Sequence, residues 1–269
     1  MNVQLPCLKG YDMSIWVFGD THGDLEISKI GASEFPESKE LGSEDYVIIC
    51  GDFGFPFLTC EVMEDSAWSP MESVRSARKT YLYWMRWMAN KPFSVLFVLG
   101  NHENYDYWEC IPTESWHGGR VRRSPDAPNV MNLVTGDCFE IDGFKIWVFG
   151  GAVSHDRYLR QEGRDWWPQE VPSVQVMEHG LKTLEENDFK VDYILTHTMP
   201  RSQMISCGIN RIFDDPVASY LDEVYDKAQF RRWYCGHFHM DKVSRSKDAN
   251  RAIHVLYDEY RRLGEEAES

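Results

Sequence analysis

Five short apolar runs punctuate the chain: Ile15-Trp16-Val17-Phe18, Tyr46-Val47-Ile48-Ile49-Cys50, residues 93–99, Tyr193-Ile194-Leu195-Thr196 and residues 231–235. Rich in β-branched and aromatic residues, they read as buried strands. Residues 73–90 have the length of a helix and contain neither Gly nor Pro, and the Trp, Met and Tyr positions from Tyr81 to Met88 are its core face. A second helix is expected over 173–187, capped by Ser173. Asp142-Gly143 separates two apolar runs and predicts a β-hairpin. Residues 52–70, 112–129 and 154–172 are rich in Pro, Gly, Trp or charge and are expected to be irregular. Strands alternating with helices, then a hairpin, then more of the same predict two packed sheets with helices outside. With no internal repeat, low-complexity tract or linker, residues 1–269 are expected to form one domain.

Composition supports a globular chain, with 43% hydrophobic residues and ten Trp. Its 43 acidic residues against 28 basic ones give a formal net charge of −15, which repels a long nucleic acid. A short phosphate ester is not excluded, because bound cations reverse the charge inside a site. Seven cysteines form no C-x-x-C pair, and Cys50 and Cys235 end apolar runs as small core residues would. That usage fits a reducing cytoplasm, and with no apolar signal core or run of roughly 18 residues a membrane partner is not expected.

The chemistry lies in the residues at the end of each strand. The first run leads into Gly19-Asp20-Thr21-His22, the second into Gly51-Asp52 and the third into Gly100-Asn101-His102-Glu103. The fourth leads into His197 and the fifth into Gly236-His237-Phe238-His239. Ligand sites in α/β sheets lie beyond the carboxyl ends of the strands, so these side chains are expected to converge on one cleft. Imidazoles mixed with carboxylates and one amide oxygen suit Mn, Fe or Zn better than Ca. Asp20, His22, Asp52, Asn101, His197, His237 and His239 are too many ligands for one tetrahedral ion, so two divalent ions sharing a carboxylate are expected. Two such cations activate a bridging water and neutralise charge on the oxygens around phosphorus.

The ordered set D-x-H, G-D, G-N-H-E, H and G-H-x-H, running from Gly19 to His239, resembles the five blocks of the calcineurin-like metallophosphoesterase family. The resemblance implies an αββα sandwich of two mixed sheets flanked by helices, and a hydrolase in which a metal-bridging hydroxide attacks a phosphate ester. By position it puts Asp20, His22 and His239 on one metal, Asn101, His197 and His237 on the other, and Asp52 between them. It also implies that catalytic His102 is no ligand and acts on the phosphoryl oxygens or the leaving group. Protein Ser/Thr phosphatases carry an arginine in a G-D-x-x-D-R-G block; here the chain reads Gly51-Asp52-Phe53-Gly54-Phe55-Pro56. The whole chain is similar to small phosphoesterases of bacteria and their phages, which leaves a phosphomonoester and a small phosphodiester both open. G-H-x-H resembles phosphodiesterase members. A non-catalytic metal-binding module on the same fold, a protein phosphatase and a nuclease on polymers are the rival readings.

Gly150 to Arg157 also follows a strand-like run and is expected to bring His155 and Arg157 to the cleft rim, where a guanidinium binds phosphate bidentately. The alternative is an Asp156–Arg157 ion pair. Trp166 and Trp167 either stack on a base or cover the core, and Arg120, Arg122 and Arg123 either attract an anion or form a solvated loop. His117, His179 and His254 read as surface or structural histidines.

Overall fold

The computed structural model describes residues 13–56, 72–209, 215–244 and 251–265. The first three apolar runs form parallel strands β1 (Ile15–Phe18), β2 (Tyr46–Ile49) and β3 (Ser94–Phe97). They are extended by β4 (Thr113–Trp116), β5 (Gly119–Arg123) and β6 (Val130–Leu133), while β13 (Arg261–Arg262) pairs with β1. This sheet has the order β13-β1-β2-β3-β6-β5-β4. The second contains β7 (Cys138–Ile141), β8 (Phe144–Phe149), β9 (Tyr193–Thr196), β10 (Arg232–Cys235), β11 (Lys242–Val243) and β12 (Ile253–Val255), in the order β11-β12-β10-β9-β8-β7.

Alternation along each strand explains why both faces are apolar. Ile15, Val17, Ile48 and Leu96 join Ile146, Val148 and Leu195 in one core between the sheets. Their neighbours Phe18, Val47, Ile49 and Phe97 face the other way and pack with Tyr81, Met85 and Met88 of helix α1 (Glu72–Ala89) and Trp108 of α2 (Tyr105–Cys110). Trp147, Ile194 and Trp233 do the same for α3 (Val174–Glu185), α4 (Arg201–Met204) and α5 (Pro216–Lys227). The result is the expected αββα sandwich. Asp142 and Gly143 both have positive φ, as the two-residue hairpin turn requires, and Ser173 Oγ accepts the Val176 N–H.

One expectation is corrected. Residues 112–129 are not irregular throughout: β4 and β5 pair antiparallel around a turn at His117-Gly118. β4 is the edge strand and its residues are largely exposed, so it carries no apolar run by which to be found. Helix α5 adds an element that the apolar pattern does not announce, although Asp215 caps it by accepting the Val217 and Ala218 N–H groups and Pro216 opens it. Residues 154–172 hold short 3₁₀ turns and an isolated bridge between Glu162 and Trp166, and 57–70 of the first irregular segment lie outside the described residues.

Candidate metal centre

Because β1, β2 and β3 run parallel, and β8, β9 and β10 likewise, each sheet delivers its strand ends to one edge. Hydrogen bonds between sheets align those edges: Gly151 N–H donates to Leu99 O at 2.7 Å, and His237 N–H to Asp20 Oδ1 at 2.8 Å. Within the first sheet, His22 N–H donates to Asp52 O at 2.7 Å and His102 N–H to Asp52 Oδ1 at 2.7 Å. The carboxylates sit against backbone only because glycine leaves room. A Cβ on Gly100 would lie 2.1 Å from Asp52 Oδ1, and one on Gly236 2.1 Å from Asp20 Oδ1. His22, Asp52, His237 and His239 all adopt positive φ, a conformation that costs non-glycine residues energy and concentrates at functional sites.

The side chains meet in two overlapping groups. Ligand atoms of Asp20, His22 and His239 lie within 4.8 Å of one another, as do those of Asp20, Asp52 and His197. Asp52 faces both ways, with Oδ2 3.3 Å from His22 Nε2 and Oδ1 3.3 Å from His197 Nε2. Asn101 Oδ1 stands 2.9 Å from both His197 Nε2 and His237 Nδ1. His102 also falls within 4.8 Å of His22 and Asp52, and its ring makes an edge contact with that of His22.

Asp20 Oδ2 and His22 Nε2 are buried and have no hydrogen-bond partner among the described residues. Buried polar atoms are normally satisfied, so unpaired carboxylate and imidazole atoms facing one point fit a divalent cation. The supporting contacts agree. His197 Nδ1 lies 2.9 Å from Cys50 O and His22 Nδ1 3.1 Å from Glu26 Oε2, so each ring can donate there and turn the lone pair of Nε2 to the centre. Burial alone would lower the pKa of both rings, but the negative charge of the nearby Asp52, with Asp20 behind it, raises each to about 9. Asp52 is correspondingly held well below the usual carboxylate range, against its burial, by His197 and His22. A bound cation would take the place of those protons.

Beside this group opens a cleft of ≈ 750 Å³ lined by His22, His102, Phe55, Tyr81, Leu25 and Arg160. Arg160 escaped the sequence reading because it sits in an irregular loop with no motif around it. Asp156 holds its Nε and Nη2 at 2.8 and 2.7 Å, and Nη1 donates to Asp165 O. Asp156 therefore pairs with Arg160, not Arg157. Arg157 is exposed and does not line this cleft, while His155, also exposed, has its ring 6.0 Å from that of His237. Glu103 is another omission, although it ends the G-N-H-E run: fully buried, it accepts the Phe53 N–H at 2.6 Å and the Gly54 N–H at 3.2 Å behind Asp52.

Several other candidates are engaged in contacts within the fold. Trp167 is buried in the α1-side core and donates Nε1–H to Asp106 Oδ2 at 2.9 Å. Arg120 is forked onto Asp137, which also meets His179 Nε2 at 2.6 Å; Arg122 bonds Asn132, and Arg123 bonds Glu114. Cys50 and Cys235 are buried. Among the described residues, no helix is long and apolar enough to cross a membrane.

Residues 13–241 match the calcineurin-like phosphoesterase family. The chain belongs to that family. The two-sheet architecture is that of the metallo-dependent phosphatase fold. A curated relative, lariat debranching enzyme A of Xenopus laevis, is 28% identical over 201 residues, which is 71% of this chain and 34% of the relative. This calcineurin-like phosphoesterase thus spans about a third of that relative's length. Among solved structures, a protein serine/threonine phosphatase from Saccharomyces cerevisiae aligns over 91% of this chain and 67% of its own, at 13% identity and a TM-score of 0.35.

Proposed function

We propose that this chain hydrolyses a small phosphate ester at a two-metal centre. The observation that carries the reading is the position of Asp52, whose two oxygens face histidines from different strands at 3.3 Å each. A carboxylate so placed is suited to bridge two ions, one held by Asp20, His22 and His239, the other by Asn101, His197 and His237. Divalent cations there would supply Lewis acidity, activating water and neutralising charge on phosphorus-bound oxygens; the donor set favours Mn, Fe or Zn.

The protein's own groups supply the rest. His102 lines the cleft beside His22. Burial lowers its pKa, Asp52 opposes that, and Arg160 lowers it further. A neutral imidazole at pH 7 is suited to donate a hydrogen bond to a phosphoryl oxygen, and less to deliver a proton to the leaving group. Arg160 has three of its five N–H groups taken, and the other two have no partner among the described residues. It takes the phosphate-clamping role that the sequence reading gave to Arg157; His155, near His237, does not line this cleft either.

Hydrolysis of paired chromogenic phosphate monoester and diester substrates tests this reading. Metal-stripped protein is restored in turn with Mn, Zn, Fe or Mg, with His102→Ala as control; a lariat joins the panel because of the debranching relative. Activity that returns with metal and falls about 10²-fold or more in the variant is expected. Protein that binds two ions yet turns over none of these substrates favours the non-catalytic module instead.

A further inference from the structure

Asn101 is the one amide among the proposed ligands, and its donor atom has a near-isosteric alternative that ligates no metal. Turned by 180°, the amide would present Nδ2, which cannot ligate, where Oδ1 now stands. Something must hold Oδ1 toward His197 and His237, 2.9 Å from each ring.

The holding contact comes from the irregular loop. Asn101 Nδ2 donates to Ser154 Oγ at 3.1 Å. A serine hydroxyl alone cannot choose between the two amide atoms, since it both donates and accepts. Ser154 has no such freedom: its hydroxyl donates to Glu170 Oε2 at 2.5 Å, and its backbone N–H donates to Oε1 of the same carboxylate at 2.8 Å. With its one proton committed, Ser154 Oγ offers only lone pairs to Asn101 and so selects Nδ2. Asn101, Ser154 and Glu170 are each 5% exposed or less, so water does not compete freely for these bonds.

We infer that Glu170, acting through Ser154, is a positioning residue that sets the orientation of the Asn101 amide and thereby the affinity of one of the two metal positions. This rests on the two-metal reading above. It also gives the segment 154–172 a task, since Ser154 and the Pro168–Glu170 turn bracket the stretch that carries Arg160. Burial raises the Glu170 pKa, and the Ser154 hydroxyl pulls it back toward the ionised, acceptor-only form.

The polarity can be reversed with little change in shape. In Glu170→Gln the introduced amide keeps an oxygen for the Ser154 N–H and donates its NH₂ to Ser154 Oγ. The serine proton is then released toward Asn101, where it favours Oδ1. Adding Asn101→Asp should repair the defect, because a carboxylate accepts the serine proton with one oxygen and presents the other to the ion. Isothermal titration of the metal-stripped full chain with Mn²⁺ reads both positions.

Wild type is expected to bind two ions, and Glu170→Gln to bind one of them about 10-fold or more weakly, in the range found for outer-sphere partners of metal ligands. Metal-free Tm should barely change in that variant, and the double variant should recover the lost affinity. Should Glu170→Gln not fold, Ser154→Ala carries the same expectation. Wild type that binds two ions alongside a Glu170→Gln variant of equal affinity, or a double variant no better than Glu170→Gln, overturns the relay alone. Wild type that binds no ion overturns the metal centre and the role of Glu170 with it.

Discussion

The backbone N–H of His237 donates to Asp20 Oδ1 at 2.8 Å across 217 residues of chain, joining the end of β10 in one sheet to the end of β1 in the other. Asp20 Oδ2 is left buried and without a hydrogen bond, 3.2 Å from His239 Nε2. The junction between the sheets is thus built from residues proposed to hold metal. Stripping the ions should loosen it. Ions present at about 100 times Kd stabilise by roughly 2.7 kcal/mol, so chelation is expected to lower Tm by roughly 5–10 °C, with recovery on adding Mn²⁺. Scanning calorimetry with and without chelator checks this, and an unchanged Tm would count against bound metal.

Gly100→Ala places a methyl group 2.1 Å from Asp52 Oδ1 and 2.3 Å from the Asp52 backbone nitrogen. A backbone atom cannot swing away as a flexible side chain would. The variant is expected to lose about 1–3 kcal/mol in urea unfolding and to bind metal at least about 10-fold more weakly. Stability and metal affinity equal to wild type would show that Asp52 is free to move.

Arg160 and Arg157 stand three residues apart, and only Arg160 lines the cleft. Once a substrate is in hand, Arg160→Ala should lower kcat/KM by about 10-fold or more, with Arg160→Lys recovering little because the fork onto Asp156 is lost. Arg157→Ala should leave kcat/KM within about twofold. Steady-state kinetics of the three variants decides, and the reverse ranking would return the clamp to Arg157.

Much of this was legible in the sequence because the strands that carry the site are buried on both faces. Continuous apolar runs such as Tyr46 to Cys50 announce themselves, and the ligands come directly after them. β4 was missed for the opposite reason: at an edge, with exposed residues, it has no pattern to detect. Arg160 and Glu170 were missed because what qualifies them is a partner, Asp156 for one and Ser154 for the other, and a loop's fold is not written in its periodicity. Trp167 shows the converse, since an aromatic in a charged loop proves to be core.

His254 supplies a pH dependence remote from the centre. Its ring packs 5.3 Å from that of Tyr234, Nδ1 has no partner among the described residues, and burial, with Arg261 and Arg232, pushes its pKa down to about 4. An unfolded imidazole titrates near 6.5. The folded protein therefore resists a proton that the unfolded chain accepts, so this contribution is complete above pH 6.5 and shrinks as the pH falls toward 4. Urea stability measured from pH 7 to pH 4.5 is expected to fall less in His254→Gln than in wild type, by up to about 2 kcal/mol. Parallel curves would mean that His254 protonates in the fold as readily as outside it.

The bridging position of Asp52 is the centre of the account, and anomalous scattering reads it directly. Crystals soaked in Mn²⁺ are expected to show two peaks about 3.5–4 Å apart, one on each side of the Asp52 carboxylate. A single peak, or two peaks away from Asp52, would contradict the two-metal centre.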